Sequence, residues 1–121
     1  SASQIIAGFS ADFENADQVT GFVSTGATTY KEFEDAKISD ACNSNIGDIV
    51  LDVVVVQSNN AFLNPGAGQL QLPATNYSGS LYMGDASYKT ASSPQTTTSW
   101  IWDSGSGRNA HAAVAIKKNG N

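Results

Sequence analysis

The chain of 121 residues holds eleven acidic and six basic side chains, and its net charge of -5 gives it nothing to draw it to a nucleic-acid backbone or an anionic membrane. Charged residues make up only 14% and hydrophobic ones 40%, with Ser, Thr, Asn, Gln and Gly filling the remainder. One domain, residues 1–121, with its own core and a neutral, hydroxyl-rich surface fits that length and composition. The single cysteine, Cys42, excludes an intramolecular disulfide and is expected as a buried thiol, and no apolar run reaches the length of a membrane-spanning helix.

Ser1-Ala2-Ser3 has neither the basic nor the apolar region of a signal peptide, and the start without Met is read as processing, by initiator removal or leader cleavage. Gln4 to Phe9 and Val19 to Thr25 are predicted as the first strands, separated by a polar stretch with Asp12, Glu14 and Asp17. Between Thr29 and Asn45 a helix competes, because Tyr30, Phe33, Lys37 and Ala41 approximate helical spacing and Thr29 with Glu32 resembles a capping box. The apolar stripe is thin, so the segment is predicted as an irregular, exposed connection with a helical turn or two, tethered to the core by Ile38 and Cys42.

The central strand is Ile49 to Gln57, opened by Gly47-Asp48 and dominated by β-branched residues that suit a pleated sheet. Ile49, Leu51, Val53 and Val55 form its fully apolar face, which is expected to meet Ala112, Val114 and Ile116 across the core, so that Val53→Asp should abolish folding. Asp48 is then a turn residue and Asp52 solvent-facing. Asn64 to Gly68 reads as a turn, Gln69 to Leu72 as a short edge strand, and Ser80 to Lys89 as a strand with a bulge at Gly84-Asp85. Thr96 to Asp103 and Asn109 to Lys117, joined by Ser104-Gly105-Ser106-Gly107, are predicted to form a hairpin. Seven or eight short strands with little or no helix indicate an all-β fold, a two-sheet antiparallel β-sandwich.

The order Gly47-Asp48-Ile49-Val50-Leu51, a Pro-Gly turn, Tyr88-Lys89-Thr90-Ala91, Trp100-Ile101-Trp102, and Arg108-Asn109-Ala110 leading to Val114-Ala115-Ile116-Lys117 resembles the small β-sandwich domains of bacteriophage structural proteins and bacterial surface proteins. The resemblance spans residues 47–117, and residues 1–46 depart from it, being charged and irregular from Lys31 to Asn45. The resemblance implies a jelly-roll or immunoglobulin-like sandwich displayed on a particle or cell surface, and it transfers no catalytic residue.

Chemistry-bearing groups are sparse. His111, the only histidine, has no partner within reach by spacing and is expected to face solvent or an interface. Asp12, Glu14 and Asp17, and Glu32, Glu34, Asp35 and Asp40, are read as solvated acidic surface, since neither group has the ligand order of a calcium loop, and no metal or other cofactor is expected. Trp100 and Trp102 project side by side from one strand and are expected to fill the space between the sheets; were they exposed with Tyr77, they would form a stacking platform for sugars.

No catalytic residue is assigned. The expectation is a non-enzymatic virion protein, a capsid decoration or cement protein that binds and stabilises neighbouring capsid subunits through Gln4, Ile5, Ile6, Phe9, Lys31 and Phe33. Its partners would be proteins of a larger assembly, at a virion or extracellular surface, with no nucleic acid and no membrane. The alternatives are a carbohydrate-binding or adhesion module and a subunit of an extracellular filament that donates its first strand.

Overall fold

The computed structural model describes residues 13–16, 26–31, 36–57, 62–72, 77–78, 82–102 and 108–119. Those residues form nine strands and no helix: β1 (Ala27–Lys31), β2 (Lys37–Asn43), β3 (Ile49–Val56), β4 (Asn64–Pro65), β5 (Leu70–Gln71), β6 (Tyr77–Ser78), β7 (Met83–Thr90), β8 (Gln95–Ile101) and β9 (Asn109–Ile116). They build two antiparallel sheets, one ordered β1-β9-β3-β7-β5 with β6 also on β7, the other ordered β2-β8-β4. The predicted two-sheet β-sandwich is therefore the fold. The predicted strands at Gln4 to Phe9 and Val19 to Thr25 fall outside the described residues.

The valine strand β3 lies at the centre of the large sheet, with β7 on one side and β9 on the other. Its launch is a tight turn. Gly47 has a left-handed φ of 93°, which glycine adopts without steric cost, and the Asp48 Oδ2 accepts a 2.7 Å hydrogen bond from the Asn45 backbone N–H. Asp48 is fully buried, and its Oδ1 also accepts from the Lys118 N–H at 2.9 Å, so the expected turn residue additionally ties down the far end of β9.

Three expectations are corrected. The segment read as an irregular connection contributes two strands, β1 and β2, because Ile38 and Cys42 alternate with exposed residues and bury every second side chain of β2. Gly84 and Asp85 pair in register with Val55 and Val54, so β7 has no bulge there. The predicted hairpin is absent: β8 pairs with β2 and β4 in the small sheet, whereas β9 pairs with β1 and β3 in the large one. Consecutive strands here lie in opposite layers.

The most consequential correction concerns the face of β3. Val50, Asp52, Val54 and Val56 point into the sandwich, and Ile49, Leu51, Val53 and Val55 point outward. On β9 the inward set is Asn109, His111, Ala113 and Ala115. Leu51 does neighbour Val114, and Val53 neighbours Ala112, but side by side in one sheet rather than across the core. Because strand side chains alternate with period two, one misassigned residue exchanges the faces completely. Asp52 and His111 are thereby interior residues, contrary to the solvent-facing positions expected of them.

The interior divides into two apolar clusters. Ile38, Val54, Val56, Trp100 and Trp102 form one, supported by Ala36, Leu63 and Met83. Cys42, Val50, Ala91, Ala113 and Ala115 form the other, with Ala27 against it. Between them, at the middle of each long strand, lies a polar layer.

These assignments separate two neighbouring substitutions. Val54→Asp buries an uncompensated charge and should prevent folding, whereas Val55→Asp, at a position 41% exposed, should leave a folded protein destabilised by about 1 kcal/mol, both read from urea unfolding curves.

Candidate functional site

The inner faces of two strands read apolar, polar, apolar, Ile38-Asp40-Cys42 on β2 and Val50-Asp52-Val54 on β3, and on β9 the inner face runs from Asn109 and His111 to Ala113. Antiparallel pairing places these central residues at one level. At its middle stands the His111 imidazole, whose Nε2 lies 2.7 Å from Asp52 Oδ2 and whose Nδ1 lies 2.7 Å from Asp40 Oδ2. The His111 and Asp52 side chains are 0% exposed and that of Asp40 is 9% exposed. Asp52 belongs to the same sheet as His111, and Asp40 to the other, so the ring bridges the layers.

Asp52 collects a full set of donors. Trp100 Nε1 donates to its Oδ2 at 2.7 Å from the small sheet, the Ser87 hydroxyl donates to its Oδ1 from β7, and Gln69 Nε2 approaches Oδ2 at 3.4 Å. Trp100 therefore fills the core, as expected, and its indole N–H also serves as a second link between sheets. Asp40 has a shorter set: Thr29 Oγ1 donates to Oδ1 at 2.5 Å, and His111 faces Oδ2. Thr98 Oγ1 lies 3.4 Å from His111 Nε2.

Gln69 is positioned by the predicted Pro-Gly turn. Gly68 takes a left-handed φ of 78°, and a Cβ on Gly66 would collide with the Ser99 hydroxyl and the Gln69 amide oxygen. Two glycines thus let the chain fold back so that Gln69 enters the sandwich. Its Oε1 accepts from the Ser99 N–H at 2.7 Å, and its Nε2 donates to Ser87 Oγ at 2.9 Å.

A ring flanked by two carboxylates satisfies both only as the imidazolium, which has two N–H donors. Burial by itself lowers the pKa of His111, but hydrogen bonds and charges from Asp52 and Asp40 outweigh it and hold the pKa above the ordinary 6.5. One cation between two anions leaves the layer with one net negative charge, which the neutral donors Trp100, Ser87 and Thr29 help to disperse. Both ring nitrogens are engaged, and the ring is fully enclosed.

The remaining predicted residues are dispersed. Trp100 and Trp102 are both buried, so the indoles present no stacking face to a sugar. Tyr77 lies in β6 and Lys31 in β1, with side chains outside the description, as are Gln4, Ile5, Ile6, Phe9 and Phe33 altogether. Of the acidic groups, Asp40 belongs to the buried layer rather than to a solvated surface, and among the described residues no three His, Cys, Asp or Glu side chains gather as for a metal ion. Cys42 is a buried thiol, whose pKa desolvation raises above 9.0.

Sequence reasoning missed Asp52, His111 and Gln69 as a unit. A usable signal existed in Asp52: an acidic residue within an otherwise apolar strand is either at an exposed face or matched by a buried cation, and the chain has a single histidine with which to match it. No protein-family model, no curated protein and no solved structure matches the chain.

Two outcomes follow for the single histidine. Its NMR resonances should titrate above 6.5, with both nitrogens protonated below that value. A raised folded-state pKa contributes stability that is complete below the unfolded value and is lost as pH rises through the folded one, so the urea midpoint should fall as the pH rises above 6.5. His111→Gln should be less stable, with no such fall. Asp52→Asn, which leaves the imidazolium paired with Asp40 alone and gives Trp100 and Ser87 a neutral amide in place of the carboxylate, should lower the urea midpoint, a loss of about 1–3 kcal/mol.

Proposed function

We propose that this chain is a non-enzymatic structural module that binds protein neighbours in a larger assembly, as a decoration protein on a virus capsid. One observation carries the binding part of this reading. Phe62 is 76% and Ile101 56% exposed, and both stand on the outer side of the small sheet. Ile101 pairs with Asn64, and Phe62 precedes Asn64 by two residues with core-packed Leu63 between them, which turns Phe62 and Asn64 to the same side.

Among the described residues, the strand neighbours of this pair on the outer side are uncharged except for Lys37, which is the partner of Ile101 on β2. Beyond it Ser39, Ala41, Asn43, Gln95 and Thr97 continue the exposed face. An apolar centre within a neutral, hydrogen-bonding surround is the composition of a protein contact. The adjoining edge strand β4 ends in Pro65, which has no N–H to offer an added strand, so side chains rather than sheet extension would make the contact.

The non-enzymatic part rests on the buried layer, where the acid–base groups are bonded to one another out of reach of solvent. The capsid part rests on the resemblance of residues 47–117 to sandwich domains of phage structural proteins, and a virion or extracellular surface follows from it.

Purified protein added to particles assembled without it should bind and raise their resistance to heat. The double variant Phe62→Ser with Ile101→Thr should bind at least about tenfold more weakly while keeping the wild-type urea midpoint. Wild-type protein that ignores such particles would sink the capsid reading, and a double variant that binds as well as wild type would remove this surface from it.

A further inference from the structure

The two carboxylates beside His111 are unequal, and the difference predicts what gives way when the ring loses a proton. A neutral imidazole has one N–H and can serve one carboxylate. Asp52 is 0% exposed and keeps Trp100 and Ser87 as donors whatever the ring does. Asp40 is nearer to solvent and keeps only the Thr29 hydroxyl among the contacts described above. The remaining proton therefore stays on Nε2 toward the enclosed Asp52. The bare Nδ1 then faces an Asp40 oxygen at 2.7 Å, acceptor against acceptor.

Among the described residues the strand of Asp40, β2, is an edge of the small sheet, bonded along one side to β8, and the preceding strand β1 is an edge of the large sheet, bonded along one side to β9. Thr29 to Asp40 joins these two strands to each other, and Asp40 to His111 joins them to the interior. We propose that β1 and β2 form a flap latched by the Asp40–His111 contact, and that the flap opens as the pH rises while β3, β7, β8 and β9 remain folded.

Among the described residues the titratable groups that face the ring are Asp40 from β2 and Asp52 from β3, and Cys42 follows Asp40 on the inner side of β2. From the other elements packed on it, β1 presents Thr29, β8 presents Thr98 and Trp100, and β9 itself has Asn109 and Ala113 beside the ring. Asp85 lies one strand further on β7, hydrogen-bonded by Gln71 at 2.7 Å. The latch turns on the His111 ring, whose deprotonation, displaced above the ordinary 6.5, leaves Nδ1 bare against Asp40.

Cys42, the only cysteine, reports on the flap because it lies on the inner side of β2 against Val50, Ala113 and Ala115. The experiment is thiol labelling of the full chain with iodoacetamide, expressed at each pH as the unfolded rate divided by the native rate so that thiolate formation cancels. Protection should be constant below about pH 6.5 and fall above it, by at most about tenfold per pH unit for one proton. At low urea the native rate should rise with denaturant less steeply than global unfolding does, because β3, β7, β8 and β9 stay folded. In Asp40→Asn the amide can donate to or accept from Nδ1, so the pH dependence should vanish. His111→Gln should be labelled faster than wild type at pH 6, with no pH dependence; should it fail to fold, Asp40→Asn decides alone. Protection in wild type that is independent of pH, labelling that carries the full urea dependence of global unfolding, or an Asp40→Asn profile equal to wild type would each overturn the flap.

Discussion

A carboxylate in the middle of a sandwich core has to be matched, and the packing of this protein follows from matching Asp52. An isolated buried charge would cost more than the net stability of a domain this size. Here one histidine, one indole, one hydroxyl and one glutamine amide come from four places in the chain to surround it. Each of those groups fixes the element that carries it. His111 sets which face of β9 is inward, Trp100 sets the depth of β8, and Gln69 sets the path of the turn before β5. Hydrophobic burial supplies most of the driving force, but it would tolerate several sheet registers that this polar layer does not.

The strands were legible in the sequence where their composition was strong. β3, β7, β8 and β9 lie within a few residues of where β-branching, alternation and turn residues place them, and the Gly47-Asp48 launch and the Pro-Gly turn are real. Facing was not legible from hydrophobicity alone. In β3 the outward residues are Ile49, Leu51, Val53 and Val55, and the inward face, which includes Asp52, is the more polar of the two. A sum over apolar residues assigns the faces the wrong way round because it scores Asp52 as a surface residue. Only pairing it with a distant His111 reverses that score, and pairing across 59 positions is not a local property.

Connectivity was hidden for a related reason. The Ser-Gly run between β8 and β9 looks like a hairpin turn, yet Thr98 and His111 meet across the interior instead of along a ladder. What distinguishes the two arrangements is whether the inner faces of both strands contain groups that need each other. Likewise β1 and β2 look irregular because their inner residues, Thr29 and Asp40, are polar and bonded to one another. The candidate contact surface at Phe62 and Ile101 escaped notice in the same way, since an exposed apolar residue on a strand is indistinguishable in sequence from a buried one.

The polar layer also partitions the core. Trp100 and Val54 lie on one side of it and Val50, Cys42 and Ala113 on the other, in two apolar compartments that share backbone but few side-chain contacts. Interiors usually absorb a change of volume by shifting neighbours, and that freedom ends at a row of charged groups whose distances cannot stretch. Each compartment is thus a separate packing problem. Residues in one can drift in size together without regard to the other, while the residues of the layer between them have no such latitude.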